Sequence, residues 1–163
     1  MCGIVGFVGS SSPKTSEDLG PLFILDGLKR LEYRGYDSSG IAVYDSSTND
    51  FKVLKSEGKI SKIRDIYDRA PLKGYLALGH TRWATHGKPN TLNAHPHQAG
   101  GTVLVHNGII ENFEKLREEL LSRGVMLVSE TDSEILGHLI EEKVLTGLDL
   151  AESVRQVFLR VEG

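Results

Sequence analysis

A cysteine at the second position, running straight into a glycine-bracketed apolar stretch, constrains the fold more than any other feature of the chain. Met1-Cys2-Gly3-Ile4-Val5-Gly6 leads into Ile4–Val8, which lies between Gly3 and Gly9 and reads as a short buried strand. Any fold must therefore accommodate a strand at the very start of the chain. Cys2 is the only cysteine, and removal of Met1, usual before so small a residue, is expected to leave it at the N-terminus. Thiol and α-amine would then share one carbon skeleton. An α-amine has a pKa of roughly 7.7–8.0, so near neutral pH it can take the thiol's proton. Activation by the chain's own amine needs no separate histidine. The competing reading is a small apolar residue packed at the start of a strand, as most free cysteines are. Position alone leaves both open.

Bulk properties narrow the classes. With 163 residues, the chain has the length of one ordinary domain. A hydrophobic content of 39% and a charged content of 25% are those of a soluble globular protein. The formal net charge of −3 gives no electrostatic reason to expect nucleic acid or an anionic membrane as partner, which leaves small metabolites. One cysteine cannot form an internal disulfide, and no leader or membrane-length apolar run is visible, so a cytoplasmic location is expected.

Periodicity predicts the elements. Leu22, Leu25, Leu28 and Leu31 mark a helix opening near Pro21. The polar, aromatic and glycine-containing stretch 32–40 then breaks all periodicity. Ile41–Tyr44 and Phe51–Leu54 read as a hairpin across a turn-rich 45–50, and Ile60, Ile63, Ile66 and Tyr67 as one helix face ending before Pro71. Leu76–Thr81 is strand-like, and from Arg82 to Gly101 no period is visible. Such a loop inside a compact domain is usually functional or mobile. Thr102–His106 returns to strand. Three helices follow, one from Phe113 to near Gly124, one opened by Thr131-Asp132-Ser133-Glu134 as a capping box, and one opened by Asp149 and Glu152. Strands first and helices last predict α+β, with helices packed over a largely antiparallel sheet.

Candidate chemistry falls at strand ends and helix starts. Arg82 offers a planar fork for a carboxylate and Asp132 a partner for an ammonium, together a clamp for an α-amino acid zwitterion. Asn107 offers an amide N–H, and Gly108 a backbone N–H unobstructed by a side chain, the two donors of an oxyanion hole. With Cys2 these make an acyl-transfer set. Each has a plainer reading: Arg82 as a surface ion pair, Asp132 as first-turn helix charge, and Asn107-Gly108 as a turn. His95 and His97, with His86 and His106, match no zinc spacing, so no metal is expected.

Six stretches in matching order resemble the glutaminase domain of the glucosamine-6-phosphate synthase family of class II amidotransferases. They are Met1–Gly6, Arg30–Gly40, His80–Gly87, His95–His97, His106–Asn112 and Ser129–Glu134. The string Arg82-Trp83-Ala84-Thr85-His86-Gly87 favours this family over phosphoribosylpyrophosphate amidotransferase or asparagine synthetase. The resemblance implies a four-layer α/β/β/α sandwich of the N-terminal-nucleophile hydrolase type, including a second sheet that periodicity alone does not predict. It implies that Cys2 attacks the glutamine side-chain amide, giving a γ-glutamyl thioester and ammonia, with Asn107 and Gly108 as oxyanion hole. It places Arg82 on the glutamine carboxylate and Asp132 on its ammonium. Thr85 and His86 would line the pocket, Trp83 would gate ammonia, and residues 82–86 would begin a closing loop. No cofactor is implied.

In that family the domain continues further and precedes sugar-isomerase domains that use the ammonia on fructose 6-phosphate, in a homodimeric parent. The expectation is thus a glutaminase domain over residues 1–163, incomplete at its C-terminal end and without isomerase domains. Sheet edges exposed by the missing strands would favour self-association. The alternative is an inactive fragment that serves only as an amino-acid-binding or interaction module.

Overall fold

The structure is a computed structural model and describes residues 2–9, 19–83 and 88–163. Strand β1 (Gly3–Val8) leads to helix α1 (Leu19–Leu31), a 3₁₀ turn at Glu32–Arg34, and strands β2 (Ser38–Asp45) and β3 (Asp50–Glu57). Helix α2 (Ile60–Arg69) and strand β4 (Leu76–Arg82) follow, then the short strands β5 (His97–Ala99) and β6 (Thr102–Leu104). The chain continues through α3 (Phe113–Ser122), α4 (Asp132–Leu145) and α5 (Leu150–Phe158). Strands β1, β4, β2 and β3 form one sheet in that order, every pair antiparallel, and β5 pairs with β6 as a separate antiparallel hairpin.

Two apolar cores lie on the outer sides of the two sheets. Ile24, Leu25 and Leu28 of α1 and Ile60, Ile63 and Tyr67 of α2 pack with Ile41 and Val43 of β2. α1 can approach because β4 carries Gly79, where a Cβ would stand 2.3 Å from Ile24 Cγ2. The second core gathers Leu116 and Leu120 of α3, Ile135, Leu136 and Leu139 of α4 and Val157 of α5, with α4 laid across β5 and β6. From α4, the Glu141 carboxylate accepts bonds from the Gly101 N–H at 3.0 Å and the Thr102 hydroxyl at 2.7 Å, fastening the hairpin turn.

The space between the sheets is polar. His80 of β4 stacks on His95 with ring centroids 4.3 Å apart, and His95 meets His97 of β5 edge to face at 4.6 Å. The layers are therefore helices, sheet, sheet, helices, the α/β/β/α order that the resemblance implied.

Three details depart from the periodicity reading. β1 is an edge strand, buried on the α1 side by Val5 and Phe7 but with Ile4 and Val8 exposed, so alternation replaces full burial. β5 lies inside the stretch predicted to have no regular structure. The capping box is half formed: the Thr131 hydroxyl accepts from Glu134 N–H at 3.3 Å, but Glu134 reaches back to the amides of Val128 and Ser129.

Candidate active site

Antiparallel pairing of β1 with β4 sets Gly3 against Thr81, which carries Cys2, one residue earlier, to the end of β4. There Cys2 Sγ accepts a hydrogen bond from the Trp83 N–H at 3.2 Å and lies 3.7 Å from the Trp83 carbonyl.

Asn107 follows β6 and faces Cys2 across the gap between the sheets. Its Nδ2 donates to the Cys2 carbonyl at 3.2 Å, and its Oδ1 lies 2.8 Å from His80 Nε2. Nδ2 carries two hydrogens, so one remains for a second acceptor. Gly108 comes next, and a Cβ there would stand 2.5 Å from His106 Nε2. Any larger residue at this position would require the His106 ring to move.

Arg82 ends β4 and is buried. Burial pulls its guanidinium below its ordinary pKa, while Cys2, Asp132 and Asp37 act in the opposite sense; an arginine so placed still carries its charge. Asp132 is the first residue of α4, where the helix N-terminus favours a carboxylate. Its Oδ2 accepts from Ile110 N–H at 2.9 Å and its Oδ1 from the Ser133 hydroxyl at 3.2 Å, while Ser133 also meets His106 Nδ1 at 3.2 Å. Asp132 thus anchors the backbone just beyond Asn107-Gly108.

Cys2, Arg82, Trp83, Asn107, Gly108 and Asp132 line one cavity of about 320 Å3, at the small end of the ligand-site range of roughly 300–1,000 Å3. At its mouth Trp83 packs edge to face on Tyr36, centroids 5.7 Å apart, both rings half exposed. Thr85 and His86 lie outside the described residues. Among the described residues no group of three or more His, Cys, Asp or Glu side chains could hold a metal ion, and no helix is long and apolar enough to cross a membrane.

His80, Ser133 and the Trp83 backbone N–H belong to this site and were not singled out from the sequence. A histidine or serine in a regular element carries no periodic signal of its partners, and a backbone donor carries none at all.

Sandwich and cavity together define the class, an amidotransferase of the N-terminal-nucleophile type. Residues 65–159 match the family profile described as the glutamine amidotransferase domain, and the chain belongs to that family. It is 47% identical over 163 residues to a glutamine–fructose-6-phosphate aminotransferase [isomerizing] of Vibrio vulnificus and 48% identical over 165 residues to one of Thermus thermophilus. All of this chain is covered in both, but only 25% and 26% of those relatives, so it spans about a quarter of their length. A solved glutamine phosphoribosylpyrophosphate amidotransferase from B. subtilis superposes with a TM-score of 0.78 at 25% identity, covering all of this chain and 33% of that one.

Proposed function

We propose that the chain hydrolyses L-glutamine to glutamate and ammonia through a thioester on Cys2. With Met1 removed, the α-amine of Cys2 takes the thiol proton as Sγ attacks the glutamine side-chain carbonyl carbon. The resulting oxyanion would receive the free Nδ2–H of Asn107 and the Gly108 N–H. Collapse expels the amide nitrogen, which leaves as ammonia with the proton held by the α-amine. Water then attacks the thioester, Sγ departs, and glutamate is released. Arg82 would hold the substrate carboxylate, Asp132 its ammonium, and Trp83 the mouth through which ammonia leaves. Thr85 and His86 are proposed as further pocket residues on the strength of the sequence alone.

The observation that carries this reading is the meeting of Cys2, Asn107, Arg82 and Asp132 in one cavity, though they are spread over 131 positions of the sequence. In a longer protein like the relatives, whose names specify fructose 6-phosphate, the ammonia would pass to that sugar phosphate. The chain would be their glutaminase unit, working in the cytoplasm. Glutamate release by this chain, on a sample whose intact mass shows Met1 removed, tests the reading. Release is expected to fall by at least about 10³-fold in Cys2→Ala, as loss of a nucleophile does elsewhere. Release that survives in Cys2→Ala, or none from the folded Met-free chain, would overturn it.

A further inference from the structure

A carboxamide is nearly symmetric in shape and opposite in chemistry at its two ends. If Asn107 turned over, its oxygen would face the Cys2 carbonyl and any developing oxyanion, and a donor would become a repulsive acceptor. Something must decide which way it points. On the Cys2 side the carboxamide meets the Cys2 carbonyl, which can accept only from the NH2 end. Oδ1 is thereby left facing His80 Nε2 at 2.8 Å, so that nitrogen must carry a hydrogen.

The ring that supplies it is well fixed. His80 is fully buried on β4, its ring tilted by 31° against that of His95, which is itself held edge to face on His97. Burial first, opposed by the bond to Asn107 and by the nearby His106 backbone and aided by the Arg82 charge, brings its pKa down to about 4, while Nδ1 makes no hydrogen bond of ordinary geometry among the described residues. Near neutral pH the ring is thus uncharged and has one hydrogen to place. On Nε2 it fixes the amide in the productive sense; on Nδ1 it would leave two lone pairs opposed.

We propose that His80 is a positioning residue whose Nε2–H holds the Asn107 carboxamide with its oxygen inward and its hydrogens toward Cys2 and the oxyanion. The catalytic part of this inference rests on the glutaminase reading above, but the tautomer and the orientation of Asn107 do not. His80 itself acts only through Asn107.

Two substitutions and one spectroscopic measurement test it. His80→Gln can present an amide N–H where Nε2 stands, whereas His80→Asn places its amide near the Nδ1 position and leaves Asn107 Oδ1 without a donor. In glutamine hydrolysis His80→Asn should lose on the order of 10² in kcat, the scale of losing one oxyanion donor, with KM little changed. His80→Gln should stay within about fivefold of the parent in kcat, because it restores the one hydrogen that matters. Alkylation of Cys2 by iodoacetamide, a displacement that builds no oxyanion, should run at the parent rate in both. Independently of activity, 15N NMR of the His80 ring at pH 7 should show a neutral ring protonated on Nε2. A ring protonated on Nδ1, or a cationic ring, overturns the proposal even if the chain releases no glutamate. Equal kcat losses in the two variants, or a KM rise at constant kcat, overturn it as well.

Discussion

Asp132 shows most directly how one side chain can carry both structure and binding. Its two carboxylate oxygens already have partners, Ile110 N–H and the Ser133 hydroxyl, so a ligand ammonium would add a third contact to an anchored charge. Asp132→Asn keeps the shape and can still accept from Ile110 while removing the charge. A hydrogen bond to a charged group contributes about 1.5–3 kcal/mol, so KM for glutamine should rise by about 10- to 100-fold with kcat largely retained. Steady-state kinetics over a range of glutamine concentrations reads this, and an unchanged KM would remove Asp132 from the ammonium site. At this scale the sequence was most legible where chemistry depends on side-chain type alone. A second-position cysteine, an arginine at a strand end and an Asn-Gly pair each name a capability, and their gathering in one cavity follows from the β1–β4 register and the start of α4. His80 was not legible as a partner of Asn107, because the two lie 27 residues apart, one on β4 and the other in the loop after β6, and nothing local in the sequence links them.

Elements were readable to the degree that their periods were long. α1 to α4 announce themselves by apolar spacing, α4 also by its cap and α5 by its cap, with Thr131 and Asp149 accepting from the amides of Glu134 and Glu152. β5 has three residues, one of them histidine, inside a proline- and glycine-rich stretch. It becomes a strand only through its pairing with β6 and its cover by α4. The half-formed capping box has a similar cause. Ser129 offers both its amide and its hydroxyl to Glu134, at 2.7 and 2.6 Å, and diverts that carboxylate from the Thr131 amide. Packing between elements gives a prediction of its own at Gly79. An alanine Cβ there would press on Ile24 Cγ2 and, at 2.8 Å, on Leu28 Cδ1. Overpacking of this kind costs about 1–3 kcal/mol, so Gly79→Ala should melt several degrees lower. KM measured well below that transition should not move, since the contact is on the α1 side of the sheet. A melting temperature equal to the parent's would mean that α1 does not sit this close to β4.

Across the whole molecule the two sheets meet through charge-sensitive groups rather than through oil, and this predicts how the protein responds to acid. His80, His95 and His97 stand in the interlayer with the cations of Lys55 and Arg82 and the carboxylate of Glu134 around them. Burial is the first cause of depression for all three rings: His80 falls to about 4, His97 to about 3, and His95 lies well below the usual histidine range. Burial pushes Glu134 up, but the His138 ring 3.8 Å away and bonds from Ser129 and the Val128 amide outweigh it and bring the carboxylate down to about 2. An unfolded histidine titrates near 6.5, so below that pH the unfolded chain takes up protons that the folded chain refuses. Stability is therefore fully present above about pH 6.5 and falls as the pH drops toward 4, with Glu134 adding to the loss below about 4.5. Urea midpoints should accordingly shift to lower concentration from pH 7.5 to pH 4.5. His95 supplies the control, because neither of its ring nitrogens has a hydrogen-bond partner among the described residues. His95→Phe keeps a flat ring in the stack and removes one titrating group, so its urea midpoint should fall less steeply than the parent's over the same pH range. A parent midpoint that does not change with pH would mean that the interlayer histidines titrate in the folded chain as they do in the unfolded one. An equally steep fall in His95→Phe would move the acid sensitivity to His80, His97 and Glu134 alone.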